Sequence, residues 1–333
     1  MPIKSERLER WLRRNGNKWN ERHGLRKAGA MFCWAAWRVL FLLSHPLARR
    51  RRMQVLVTVG RWELLRRRAP RDLAVTLPGD GTVICPPWTG SSRGILAVGL
   101  EDFAEQMFLL DTLRLDDVAL DIGAHLGTYT VVMASRGAAV HAFEPSPRTR
   151  EILSRTVANN TFSRPVNVHA VALSDFTGHA HFTDGLGSGN HLSEDGGDDP
   201  AATVAVDVDT LDHWATTHDL SGLFVIKIDA EGADENVLRG AATVLQRLTP
   251  VIIVEFWNDA SPLRALLQSH GYETYRYQPR ERRLVPLGDV SGTDGNLIAC
   301  TPARLEDVRQ RLDSSPHIEL APPAVHWAGV PAE

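Results

Sequence analysis

Val118-Ala-Leu-Asp-Ile-Gly-Ala-His-Leu-Gly-Thr-Tyr-Thr-Val-Val-Met-Ala134 begins as an apolar run and ends at helical spacing. Between the two lie Asp121, Gly123 and Gly127. This reads as a buried parallel strand, a glycine turn and a helix N-terminus. Glycine lets the chain turn tightly and lets a ligand approach the backbone. The helix start supplies unpaired N–H groups and a positive dipole end. Asp121 places a carboxylate where open α/β sheets bind ligands, at the carboxyl end of a strand.

That carboxylate discriminates among ligands. A dinucleotide fold wants glycine here, so that pyrophosphate can sit on the helix start. An acid repels phosphate and attracts an ammonium. The next apolar run, Ala139-Val-His-Ala-Phe143, is followed by Glu144, placed to bridge ribose hydroxyls. An acid for an ammonium and an acid for a ribose describe S-adenosylmethionine better than NAD.

Outward from this stretch, strand and helix patterns alternate. Strands are predicted at 118–122, 139–143, 166–171, 223–229 and 250–256, and helices at 126–136, 147–160, 232–247 and 260–270. The expected fold is a doubly wound parallel sheet. Upstream, 53–68 and 102–113 read as helices, and 73–77 with 82–85 reads as a hairpin. Phe103, Glu105 and Gln106 are candidates for the cleft mouth, on a helix otherwise read as a lid on the sheet. Downstream, 272–277, 282–285 and 296–300 should close the sheet edge. His179 to Thr183 and Thr203 to Val206 look like a strand pair around a long Gly- and Asp-rich loop, 184–200. Such a loop is either a substrate lid or a floppy insertion. His179 and His181 share a strand face without a third ligand and are read as structural.

The chain has 333 residues, 43% of them apolar, enough for a sizeable core. Its three cysteines, Cys33, Cys85 and Cys300, are scattered and lack metal spacing. That fits a reducing compartment. The net charge of −3 hides an asymmetry. Residues 1–70 hold 18 Lys or Arg against four acids, leaving 19 against 36 in the remainder. Residues 28–47 are mostly apolar, but Arg38 lies mid-segment and Arg49–Arg52 follow. A central Arg costs about 2.5–3.5 kcal/mol on an insertion scale. The segment is therefore read as a helix lying on a membrane, ahead of a docked core helix and, last, a nucleic-acid contact.

Further stretches carry a resemblance: Ala170-Val-Ala-Leu-Ser-Asp175, Val208-Asp-Thr-Leu-Asp212, and Phe224-Val-Ile-Lys-Ile-Asp-Ala-Glu-Gly-Ala-Asp-Glu-Asn-Val-Leu-Arg-Gly240. Together with the glycine turn and Phe143-Glu-Pro145, they make the chain resemble the FkbM family of S-adenosylmethionine-dependent methyltransferases over roughly residues 70–300. The resemblance implies a class I methyltransferase sheet of seven strands, the last antiparallel. It also implies methyl transfer to a hydroxyl, often on a sugar or natural product. Carried over, Asp121, Gly123, Ala124, His125 and Gly127 form the cofactor turn, with His125 standing where the family usually has Asn. Glu144 holds the ribose, and Ser174 and Asp175 lie by the adenine. The resulting division is a basic helical extension (1–69), a methyltransferase domain (70–301) and a peripheral tail (302–333).

For the chemistry, Lys227, Asp229 and Glu231 end one predicted strand and Glu255 ends the next. A Lys on a buried strand needs a carboxylate partner. Asp229 or Glu231 could take a hydroxyl proton, and clustered acids can acquire pKa values suited to that. The same acids are Mg²⁺ ligand types, but the ligand set is incomplete and no metal is predicted. The reading is an O-methyltransferase for a saccharide, glycolipid or natural-product hydroxyl, cytoplasmic and peripheral at the inner membrane face. Two alternatives stay open: an NAD-dependent oxidoreductase on a Rossmann-like sheet, and a non-catalytic cofactor-binding or membrane-scaffold protein.

Overall fold

A computed structural model describes residues 42–183, 192–193, 203–256, 259–288, 290, 295–316, 318 and 320–327. Residues 1–41 of the basic extension, with Cys33, Arg38 and most of the apolar segment, and nearly all of the 184–200 loop lie outside the described residues.

Helix α1 (Arg52–Arg68) leads into the hairpin β1 (Leu73–Thr76) and β2 (Thr82–Cys85), then helices α2 (Ser91–Val98) and α3 (Phe103–Thr112). The quoted stretch follows as β3 (Val118–Ile122) and α4 (Thr128–Ser135), then β4 (Ala139–Phe143), α5 (Pro147–Ala158) and β5 (Val166–His169). A side sheet begins with β6 (Val171–Leu173), β7 (Gly178–Thr183), β8 (Leu192–Ser193) and β9 (Thr203–Asp209). After α6 (Leu211–Trp214) come β10 (Leu223–Ile228), α7 (Asp234–Arg239), α8 (Ala242–Leu248), β11 (Val251–Phe256) and α9 (Ser261–Ser269). The remainder is β12 (Glu273–Gln278), β13 (Arg283–Pro286), β14 (Gly295–Cys300), α10 (Pro302–Ser314) and β15 (Ala324–His326).

The main sheet runs β13-β12-β14-β11-β10-β3-β4-β5. Strands β11, β10, β3, β4 and β5 are parallel, and β14 is antiparallel between β11 and β12. This is the class I methyltransferase arrangement. The expected seven strands gain an eighth, because β13 folds back on β12 at the edge. Strands β3, β10 and β11 are buried along nearly their whole length, as apolar runs sandwiched between helix layers must be. The chain goes out through β4 and β5 and returns to the other side of β3 as β10. The carboxyl ends of β3 and β10 therefore flank the switch point, where a ligand crevice opens.

Three expectations need correction. The run 166–171 is two strands: β5 ends the main sheet, and β6 pairs with β9 in the side sheet. The helix read at 232–247 breaks at Gly240, whose Cα lies so close to the Ser174 carbonyl that a Cβ would stand 2.0 Å from its oxygen. The tail after 301 is not peripheral. Leu305, Val308 and Leu312 of α10 are buried, Arg311 clamps Asp117 through both guanidinium arms, and β15 pairs with β1. The basic extension also docks in part, since Val55 and Trp62 of α1 are buried and Glu63 binds Arg93 of α2. Among the described residues, no helix is long and apolar enough to cross a membrane.

Candidate active site

The glycine turn is built by close approaches. Gly123 and Ala124 both donate to the Phe143 carbonyl, each at 3.0 Å, fastening the turn to the end of β4. Gly123 has φ +77°, and a Cβ there would lie 1.9 Å from the Asp229 backbone oxygen. The cofactor turn and the end of β10 thus touch through bare backbone. His125 also has positive φ, +50°. Asn and His both tolerate this left-handed conformation better than most side chains, so the His-for-Asn departure preserves the turn. Burial lowers the His125 pKa to about 4, leaving a neutral imidazole whose Nε2 has no partner among the described residues.

Two acids flank the turn. Asp121, 2% exposed, accepts from the Thr130 hydroxyl. Burial pushes its pKa up to about 6 against the Thr130 bond and the Lys227 charge. Glu144 accepts from the His125 and Ser146 amides, each at 2.9 Å. Burial pushes it up to about 7, with the two amides opposing. Each oxygen keeps acceptor capacity for a ligand hydroxyl.

The predicted chemical cluster assembles at the ends of β10 and β11. Register places Lys227 opposite Asp121, and Ile228 opposite Val254, so Asp229 and Glu255 are neighbours. Lys227 is 1% exposed and its Nζ lies 3.2 Å from Asp229 Oδ2. It donates to the Ile228 carbonyl and sits 4.9 Å from the Tyr129 ring centre. Burial disfavours the ammonium, but Asp229, Asp102, Asp121 and Glu255 outweigh it and keep Lys227 charged. Burial also pushes Asp229 upward, and Lys227 with the Glu255 hydrogen bond reverses that. Glu255 moves the other way, raised by burial and then by the Asp229 charge. A protonated Glu255 donating to an ionised Asp229 follows.

Glu231 stands apart from that pair. It has φ +48° and lines the cleft. Burial, then Asp229 and Asp234, push its pKa up to about 7. Its strained turn is held by Asp234, which accepts from Ala230 and Gly232.

These groups share a cleft of about 270 Å³. Asp121, Gly123, Ala124, His125, Glu144, Lys227, Asp229 and Glu231 line it. Gly127, Ser174, Asp175 and Glu255 are not among its lining residues. Gly127, φ +90°, sits against Leu153 and starts α4. Ser174 is buried, its carbonyl facing Gly240, and Asp175 is exposed. Val171, Ala172 and Leu173 reach the cleft in their place. The opposite wall, Ser91, Ile95, Glu101, Asp102 and Gln106, comes from α2, α3 and the segment between them. Of the mouth candidates only Gln106 is part of it; Phe103 packs against His45. Tyr129 donates to Asp102 at 3.1 Å, tying this wall to α4. Sequence reading missed Asp102 and Tyr129 as a pair. Among the described residues, no group of three or more His, Cys, Asp or Glu is arranged to hold a metal ion.

Residues 121–274, from the first cleft acid through the start of β12, match the model of the methyltransferase FkbM domain. The chain carries an FkbM methyltransferase domain. Over 262 residues it is 26% identical to the AMB antimetabolite synthetase AmbE of Pseudomonas aeruginosa, covering 64% of this chain and 12% of that protein. Over 149 residues it is 28% identical to the hexuronic acid methyltransferase AglP of Haloferax volcanii, covering 44% of this chain and 58% of that one. The chain therefore spans less than two thirds of either relative. Among solved structures, the methyltransferase FkbM of Methylobacillus flagellatus KT aligns over 74% of this chain and 60% of its own, with TM-score 0.38 and 15% identity. The matched FkbM segment includes the turn, both flanking acids and the β10–β11 cluster. The wall from α2 and α3 lies before it.

Proposed function

We propose that this protein is an S-adenosylmethionine-dependent O-methyltransferase, acting on a hydroxyl of a saccharide, glycolipid or natural product. The observation that carries the reading is the contact between Gly123 and the Asp229 carbonyl, which sets the ligand turn directly beside the carboxylate cluster. The donor fits the cleft. His125 Nε2, Gln106 Oε1 and Thr149 Oγ1, all on cleft-lining residues, have no partner among the described residues. Asp121 would face its ammonium and Glu144 its ribose, with Phe143 and Leu173 as apolar surface. Bound S-adenosylmethionine supplies an electrophilic methyl group. The chain's own work is to align the acceptor and take its proton. Glu231 is matched to that task, since a base works best with a pKa near the operating pH. Asp229 is too well stabilised as an anion by Lys227 and Glu255, and serves to fix the end of β10. The relation to a hexuronic acid methyltransferase supports a sugar-like acceptor.

The test is calorimetric titration of S-adenosylmethionine and, separately, NADH. Micromolar binding of the sulfonium compound alone is expected, weakened about 10- to 100-fold in Asp121→Ala, roughly what a lost charged hydrogen-bond partner costs. Binding of NADH instead would support the oxidoreductase reading.

We also place the protein at the cytoplasmic face of an anionic membrane. Met53, Val57 and Leu64 of α1 share one helical face and are 72%, 55% and 51% exposed, opposite the buried Val55 and Trp62. Exposed Arg49, Arg50, Arg52, Arg67 and Arg68 accompany them. Each basic residue near an anionic surface adds about 1 kcal/mol. Sedimentation with phosphatidylserine vesicles, but not with phosphatidylcholine ones, is expected. Replacing Met53, Val57 and Leu64 by Ser should cut it at least about tenfold. Equal binding to both lipids would count against this placement.

A further inference from the structure

We infer that the acceptor wall of this cleft selects a polyol bearing an amine and turns away uronates and phosphorylated sugars, an inference that rests on the O-methyl-transfer reading.

The first observation is charge. Six carboxylates line the cleft, and Lys227 is the one Lys or Arg among the described lining residues. Asp121 and Glu144 belong to the donor. On the acceptor side stand Glu231, Asp102 with Tyr129 on one oxygen, Asp229 with Lys227 on one oxygen, and Glu101, which is already engaged within the protein. Lys227 offers an acceptor nothing, being 1% exposed and held by Asp229 Oδ2 and the Ile228 carbonyl. His125 is neutral, its pKa lowered by burial. A carboxylate or phosphate on the acceptor would meet like charge in a site partly shielded from water, with no described cation to answer it.

The second observation is hydrogen-bond polarity, and it is independent of charge. Gln106 is 1% exposed, lines the cleft, and its Oε1 has no donor among the described residues. The Tyr129 hydroxyl is already spent on Asp102. Gln106 Oε1 and the free oxygens of Asp102 and Glu231 therefore ask the ligand for donors. Hydroxyl and ammonium N–H groups meet that demand, whereas an ionised carboxylate has only lone pairs. A buried acceptor left unpaired penalises the wrong ligand, which makes Gln106 a specificity device.

Asp102 and Gln106 lie on or just before α3, outside the matched residues 121–274, whereas Asp229 and Glu231 lie inside them. Acceptor choice is thus carried in part by a wall that the family match does not include. It parts company with the relative named for a hexuronic acid.

The experiment uses the full-length protein saturated with S-adenosylhomocysteine, then titrated with methyl glucosaminide, methyl glucoside and methyl glucuronide. Affinity should fall in that order, with the glucuronide at least about tenfold weaker than the glucosaminide. Asp102→Asn keeps a partner for Tyr129 and should shrink that ratio at least about threefold without changing S-adenosylhomocysteine affinity. Wild-type protein at about 1 M salt, where screening acts within about 3 Å, should compress the ratio in the same direction without any mutation. A glucuronide that binds as tightly as the glucosaminide, or no binding by any of the three, overturns the inference. Failure of S-adenosylhomocysteine to bind at the outset removes the methyltransferase reading and this inference with it, and is seen before any sugar is added.

Discussion

Glu231→Gln should lower kcat by about 10²–10⁴-fold while leaving S-adenosylmethionine affinity within about threefold. The loss is expected in kcat because the carboxylate acts on the acceptor proton, not on the donor. The pH dependence separates this role from a structural one. Glu231 must be ionised to accept a proton, and burial with its acidic neighbours lifts its pKa to about 7. Below that value it is protonated and the rate falls; above it the rate levels off. Wild-type kcat should therefore rise with pH through the value Glu231 takes in the loaded complex, about 7 in the free protein, and the rise should vanish in the Gln variant. Asp121 and Glu144, raised to about 6 and about 7, titrate in the free protein and belong to kcat/KM, whereas kcat at saturating donor reports the loaded complex. A variant that keeps its rate within about threefold, or keeps the inflection, would move the base to Asp229. The strained turn at Glu231 is consistent with function, because Asp234 spends its carboxylate on the Ala230 and Gly232 amides to maintain it.

What could be read from sequence was local or depended on adjacent strands. Asp121 and Gly123 lie in one strand–turn–helix unit, and Glu144 follows the next strand. Period-two alternation puts Lys227 and Asp229 on one face, and consecutive parallel strands bring Glu255 beside them. The wall from α2 and α3 had no such signal. Asp102 and Tyr129 are 27 residues apart and meet only because α3 packs on α4. In sequence, Gln106 could be named as a candidate for the cleft mouth, but Asp102 carried no mark of its own. The pairing of Ala74 with His326 is longer-ranged still, and the polar, Pro-containing chain before β15 shows no hydrophobic period. The break at Gly240 was hidden for a related reason. A helical pattern runs across it, and the approach of the Ser174 carbonyl, which a residue with a Cβ would block, leaves no sign in the local sequence. Ser174 and Asp175 were expected at the adenine because of the resemblance, yet the chain turns there into the side sheet and presents Val171 to Leu173 to the cleft.

Gly123→Ala should be the most damaging single-methyl change in the domain. Two penalties coincide. The residue has φ +77°, a conformation that costs a residue with a Cβ about 1–2 kcal/mol. The new methyl would stand 1.9 Å from the Asp229 oxygen, far inside contact distance. That oxygen belongs to backbone, so no side chain can swing away to make room. Nor can the backbone retreat cheaply: the Asp229 amide donates to the Ile122 carbonyl at 3.0 Å, and the Gly123 amide donates to Phe143. Relief requires parting the ends of β3 and β10, the two strands that flank the cleft. A stability loss of about 3 kcal/mol or more is expected, from conformational strain plus overpacking. Donor affinity should fall at least about 100-fold, because Asp121 and the turn amides lose their common geometry. Gly232→Ala supplies the comparison. Gly232 also has positive φ, +96°, but a Cβ there meets nothing within 4 Å. It should lose only about 1–2 kcal/mol and keep donor binding. Thermal melts and donor titrations on the two variants measure the difference directly. If the two melt alike and bind alike, the contact between the turn and the end of β10 does not hold the two halves of the site together.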